Sequence, residues 1–144
     1  MLPIKLKEQK DYNFLYTVTL QQRDINYMGH LGNDGIVSLM LNAQTRIFHS
    51  LGFSEENLGD GQTRTTISDL VVDFRSQASL FDKLAIESHI GKFRRNGFRI
   101  FHRFRKGQII VALAETDIAT LNRSSNKAVP VPKTFIEALR NQQG

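Results

Sequence analysis

The sequence predicts an α+β fold in which a curved, mostly antiparallel sheet of about five strands wraps around one long buried helix. Three observations carry this. Between Asn33 and Gly52, Ile36, Val37, Met40, Leu41, Ile47, Phe48 and Leu51 recur at helical spacing, while Ser38, Asn42, Thr45, Arg46 and His49 share the remaining stripe. That is the pattern of a mostly buried helix with one polar seam. Segments of period two flank it, separated by turn residues. Helices are too few for repeated βαβ units, which rules out a doubly wound sheet.

The elements follow in order. Residues 1–12 are a short, charged lead-in without a clear period. Phe14 to Gln22 alternates as a half-buried strand and feeds a polar loop. Asn33 and Asp34 stand where a helix N-cap should stand, and Gly52 supplies the left-handed stop. Ser54 to Gly61 has the acidic, glycine-rich composition of a mobile surface loop. Thr66 to Ala78 alternates, with Leu70, Val72 and Phe74 on one side and Asp69, Val71, Asp73 and Arg75 on the other. Leu84 to Ile90 and Phe98 to Phe104 are strands joined by Gly91 to Gly97, whose Asn96-Gly97 pair signals a hairpin. Lys106-Gly107 marks a tight turn, and Ile109 to Leu121, apolar on both faces, reads as a strand inside the sheet. The four strands after the helix are thus expected to be joined by hairpins. Pro130 and Pro132 break regularity, and Thr134 to Gln142 fits a short exposed helix.

A chain of 144 residues has the size of a single domain, with a core expected over about 12–132. Hydrophobic content of 40% with 23% charged residues excludes disorder, and no apolar run is long enough to cross a bilayer. No secretory signal is visible near Met1, so a soluble, cytoplasmic protein is expected. The absence of cysteine removes disulfides, thiol nucleophiles and zinc–thiolate sites, and His30, His49, His89 and His102 do not pair at a metal-ligand spacing. No metal is expected. A net charge of +5 favours an acidic partner, whether a phosphorylated small molecule, nucleic acid or a membrane surface.

The chemistry concentrates in Arg23-Asp-Ile-Asn-Tyr-Met-Gly-His-Leu-Gly-Asn-Asp-Gly35, a loop dense in groups that activate water or polarise a carbonyl, delivered onto the positive end of a buried helix. The same residues would also serve simply to cap and turn.

This arrangement resembles the hot-dog fold, and specifically acyl-CoA thioesterases of the 4-hydroxybenzoyl-CoA thioesterase type. Their signature Asp-x-Asp-x-x-Gly-His-Val-Asn-Asn is matched by Asp24-Ile-Asn26-Tyr-Met-Gly29-His30-Leu-Gly-Asn33. Ala78-Ser-Leu-Phe81-Asp82-Lys-Leu84 is similar to their aromatic, Gly-Asp-x-Leu turn, and Asn126-Lys127 through Pro130-Val-Pro132 to their Gly-Lys-x-x-Pro-hydrophobic-Pro ending. The resemblance implies hydrolysis of acyl-CoA or acyl-carrier-protein thioesters, with coenzyme A part of the substrate and no cofactor. It implies a homodimer or tetramer, without nucleic acid or membrane as partner.

In the family, the second signature acid acts as nucleophile or base and a backbone N–H at the helix start polarises the thioester carbonyl. Position by position, these roles fall on Asn26 and Asn33. Asn26 is an amide, which neither attacks an acyl carbon nor accepts a proton at neutral pH. Two repairs are open: Asp24 or Asp34 as base for a water held by Asn26, or His30 as the base, its unperturbed pKa suiting that work. The candidate catalytic set is therefore Asp24, Asn26, His30 and Asn33. Lys92, Arg94 and Arg95, around the hairpin, are candidates for the phosphates of coenzyme A. Arg99, Arg103 and Arg105 share one strand face and read as a solvated outer surface. The missing acid also permits a non-catalytic acyl-CoA binding module. A hot-dog dehydratase is disfavoured, because the helix's polar seam holds no carboxylate.

Overall fold

The computed structural model describes residues 4–143. Its strands are β1 (Phe14–Thr19), β2 (Thr63–Phe74), β3 (Lys83–Arg94), β4 (Gly97–Lys106) and β5 (Ile109–Asn122), and its helices are α1 (Asn33–Ser50) and α2 (Lys133–Gln143). A short 3-10 turn, Gln22–Asp24, precedes α1. The five strands form one sheet in the order β1-β3-β4-β5-β2.

β1 runs antiparallel to β3, in a register that sets Phe14 opposite Ser88 and Thr19 opposite Lys83. Arg95 and Asn96 alone separate β3 from β4, and Gly107 and Gln108 separate β4 from β5, so both pairs are antiparallel hairpins. The strands therefore run further into the turn than the expected Gly91 to Gly97 connection. Gly107 adopts φ +59°, which the second turn needs and glycine gives without strain. The junction between β2 and β3 departs from expectation. These two strands are not neighbours: β2 lies at one edge beside β5, and β3 next to β1 near the other. Residues 75–82 are thus a crossover, not a hairpin. They are pinned at one end by Arg75 and Ser76 N–H donating to the Val111 carbonyl (2.8 and 3.1 Å) and at the other by the Asp82 carboxylate accepting the Ser79 N–H (2.8 Å).

The contacts group into two interleaved units. The first comprises Met1–Ala43, Val71–His89 and Phe101–Glu115. Leu20, Leu31, Ile36, Met40, Leu84, Ile86, Phe104 and the run Val111 to Ala114 are buried in it. The lead-in is fastened there too, since the Leu6 N–H donates to Asp73 and the Arg103 guanidinium reaches Glu8. Residues 1–3 lie outside the described range. β2 ends contrary to its expected alternation: Asp73 is buried and Phe74 exposed.

The second unit comprises Gln44–Leu70, Ile90–Ile100 and Thr116–Gly144. Phe48 meets Phe98 and Phe135 edge-on at 6.4 and 5.8 Å, and Phe98 stacks on Phe135 at 5.1 Å. Phe135 and Leu139 bury one face of α2, so this helix is docked rather than exposed. The 54–61 loop is tied from within: the Asn57 side chain accepts Gly59 and Gly61 N–H (2.9 Å each), and Asp60 accepts those of Gln62 and Thr63.

α1 follows its pattern only in part. Ile36, Leu39, Met40, Ala43, Gln44, Ile47 and Phe48 are buried, but Leu41 joins Asn42, Thr45, Arg46 and His49 on an exposed stripe. Its end is as expected, with Gly52 at φ +88°. Its start is one residue early: the Ile36 N–H bonds to the Gly32 carbonyl (3.0 Å), which places Gly32 at the cap and Asn33 in the first turn.

Candidate active site

The loop before α1 is built by two side chains that bond to its own backbone. Asp24, buried, closes the 3-10 turn: its N–H donates to the Gln21 carbonyl (2.9 Å) and its Oδ2 accepts the Gln21 N–H (2.7 Å). Asn26 then folds the next four residues around itself. Its Oδ1 accepts the Met28 and His30 N–H groups (3.0 and 3.1 Å), its own N–H donates to the His30 carbonyl (2.8 Å), and its carbonyl accepts the Gly29 N–H (3.0 Å). Gly29 makes this turn possible at φ +84°.

Two further glycines let the loop lie against the helix start. A Cβ on Gly35 would stand 2.3 Å from the Asp24 carbonyl oxygen and 2.8 Å from Leu31 Cδ1. One on Gly32 would stand 2.9 Å from Asn26 Nδ2. At Gly35 only hydrogen fits against the Asp24 backbone, whereas at Gly32 the close neighbour is the Asn26 side chain, so the loop packs tightly against the first turn.

The crossover supplies a second wall. The Leu31 N–H donates to the Ala78 carbonyl (2.8 Å), and His30 and Ser79 form an isolated bridge. A cleft of about 450 Å³ opens between them, lined by Asn26, His30, Leu31, Gly32 and Asn33 on the loop side and by Phe74, Arg75, Ser76 and Gln77 on the strand side. A neighbouring hollow of about 360 Å³ is lined by residues 23–26 and 32–35. Asn26 and Asn33 belong to both, His30 to the first and Asp24 to the second.

The Asn33, Asp34 and Gly35 N–H groups precede the first intrahelical bond and form the positive end of α1; Asn33 lines both openings, Asp34 and Gly35 the smaller one. The expected side-chain cap is not used: among the described residues no hydrogen bond joins the Asn33 or Asp34 side chain to the first turn. On the strand side, Arg75 is held by its Nε and Nη2 on Asp73 (3.1 and 3.0 Å) and by Nη2 on the Leu6 carbonyl (2.6 Å). Burial opposes ionisation of Asp73, but the bonds from Arg75 and from the Leu6 N–H outweigh it and hold the carboxyl below its ordinary pKa.

The four predicted catalytic residues therefore lie together in the first unit. The predicted phosphate ligands lie in the second, where Lys92 and Arg95 are exposed and Arg94 forks onto Asp117 (2.9 and 2.7 Å). Phe74 to Gln77 escaped sequence reasoning. In sequence they are the end of an alternating strand, some forty residues from the loop, and only the crossover brings them to it. Among the described residues no group of three or more His, Asp or Glu side chains could hold a metal ion, and no helix is long and apolar enough to cross a membrane.

A five-stranded antiparallel sheet entered through a loop whose glycines press it against a helix N-terminus defines a hot-dog protein of the thioesterase type. Residues 20–139 match the model of the Thioesterase-like superfamily, and the chain belongs to that family. The fold is similar to that of a 1,4-dihydroxy-2-naphthoyl-CoA thioesterase from Synechocystis, with a TM-score of 0.81 at 17% identity over 91% of this chain and 98% of the other. A protein from Staphylococcus aureus solved in complex with CoA gives 0.80 at 17% over 96% and 87%. A gentisyl-coenzyme A thioesterase gives 0.75 at 19% over 88% and 99%. A search of curated proteins finds no match.

Proposed function

We propose that this chain hydrolyses the thioester of an acyl-CoA or an acyl-carrier protein, using a water activated in the loop before α1. The observation that carries the reading is that His30 and Asn33, the first residue of α1, line the same cleft. In this scheme the Asn33 N–H donates a hydrogen bond to the thioester oxygen as it becomes an oxyanion. His30 takes a proton from water while the water oxygen bonds to the acyl carbon. The tetrahedral adduct then expels the thiolate, which recovers the proton from the imidazolium. Asn26 already spends its Oδ1 on the Met28 and His30 N–H groups, so it serves by fixing the His30 backbone and by offering Nδ2. Asp24 keeps the loop beneath Gly35 and is the alternative base from the neighbouring hollow.

Lys92, Arg94 and Arg95 are proposed to meet the coenzyme's phosphates, supported by their charge alone, and Arg94 would have to leave Asp117 to do so. The chain is proposed to act as a homodimer or tetramer, without metal or cofactor, in the cytoplasm. Light scattering at micromolar concentration checks the assembly, and a monomer would contradict it.

The decisive assay follows free-thiol release from short, long and aromatic acyl-CoA thioesters. Turnover that falls by about a hundredfold in His30→Gln is expected; no turnover on any chain would sink the proposal. The commitment of Asn26 Oδ1 to the loop favours a second reading, a module that binds acyl-CoA without hydrolysing it. Calorimetric binding without thiol release would establish that one instead.

A further inference from the structure

The strand-side wall of the cleft carries a charge that the hydrolytic scheme does not use. Of the nine residues lining the cleft, Arg75 is the only one with a permanent charge, and none is a carboxylate. Its structural duty engages Nε and Nη2, which tie Asp73 to the Leu6 carbonyl. Among the described residues Nη1 has no partner, and the side chain keeps a third of its surface exposed. Its counter-ion sits behind it, since the Asp73 side chain is only 6% exposed. Phe74 beside it is 40% exposed. The lining also includes Asn33, the first residue of α1, and a helix N-terminus likewise favours negative charge.

A guanidinium locked at two nitrogens and open at the third loses little freedom on binding, and its remaining donors suit carboxylate or phosphate oxygens. We infer that Arg75 is a recognition residue for an anionic group of the thioester ligand. That group is either a carboxylate on the acyl chain or a phosphate of the coenzyme. The inference rests on the thioester reading of the cleft and adds the charge of what enters it.

Four ligands separate the two sources without requiring turnover: the S-propyl and S-(2-carboxyethyl) thioethers of coenzyme A and of pantetheine, none of which can be hydrolysed. Calorimetry is run on the wild type, Arg75→Met and Arg75→Lys. If the anion is the acyl carboxylate, Arg75→Met weakens both carboxyethyl ligands by about ten- to hundredfold and spares both propyl ones. If it is a phosphate, both coenzyme A ligands weaken by that factor and both pantetheine ligands are spared. Arg75→Lys, which keeps the charge but not the fork, should recover part of the loss.

Equal weakening of all four ligands, no weakening of any, or no binding of any to the wild type would overturn the inference. Because Arg75 also anchors the lead-in, the wild type is titrated with salt as well. Affinity of each selected ligand should fall with ionic strength more steeply than that of its counterpart lacking the recognised anion, and salt-independent binding of all four would count against an anion site. Selective binding without thioester turnover would remove the hydrolytic reading and leave this one standing, and turnover without anion selectivity would do the reverse.

Discussion

Replacing Gly35 by alanine sets two effects of opposite sign against each other. Alanine is the better helix former, by about 1 kcal/mol at an interior position. The added Cβ, however, would lie 2.3 Å from the Asp24 carbonyl oxygen, closer than the 3.0 Å below which something must shift. The difference, 3.0 less 2.3, asks the loop to retreat by at least 0.7 Å. Asp24 cannot yield alone, because its N–H and its carboxylate are both bonded to Gln21. Overpacking of this kind costs about 1–3 kcal/mol, so the net expectation is a loss of up to about 2 kcal/mol after the propensity gain. For a chain of this size that lowers the melting temperature by up to roughly 4–8 °C. Activity should fall further than stability, since a displacement approaching 1 Å between catalytic groups costs up to about a hundredfold in rate. Thermal melts by circular dichroism and thiol release on the same samples measure both. A melting temperature that rises, as propensity alone requires, with hydrolysis unchanged, would refute the claim that the loop is pressed onto the helix start.

Other perturbations test other parts of the molecule. Asn26→Ala removes the acceptor for two N–H groups and should cost about 1–2 kcal/mol in denaturant melts, whereas Asn26→Asp keeps that acceptor and should melt like the wild type. Glu87 loses something to burial, but bonds from Arg103 and Arg105 prevail and bring its pKa down to about 2. A carboxylate with a depressed folded pKa stabilises above its unfolded value of 4.5, and that stability drains away as pH falls toward 2. Glu87→Gln should accordingly flatten urea stability against pH in that window, where solvent screening leaves an effect on the order of 1–2 kcal/mol. His102 titrates earlier: burial lowers its pKa to about 4, so stability falls as pH drops from 6.5 to 4, while the unfolded chain takes up a proton the folded one refuses. Replacing it together with its partner, as Ser88→Ala/His102→Leu, should abolish that earlier fall, and an unchanged profile would count against the assignment. Phe81 holds a left-handed φ of +69° while two-thirds exposed, so Phe81→Gly should raise the melting temperature by the equivalent of roughly 0.5–1 kcal/mol.

The sequence alone determined what depends on neighbours along the chain. The α+β class, the helix ending at Gly52, the turn at Gly107 and the loop from Asp24 to Asn33 were legible because periodicity, glycine and short polar side chains act over a few residues. The resemblance to hot-dog thioesterases was legible for the same reason, being carried by local motifs. Tertiary structure decided the rest. The route from β2 to β3 could not be read, since a crossover and a long hairpin loop have the same turn chemistry, and only sheet order distinguishes them. Leu41 and Phe74 lie on exposed faces because partners elsewhere in the fold, not local period, settle which side is covered. Asn26 looked like a defective acid in sequence. In the fold its carbonyl is the acceptor that shapes the loop around His30. Arg75 became a cleft residue only through the crossover, because contacts across some forty residues leave no mark in the local pattern of either segment.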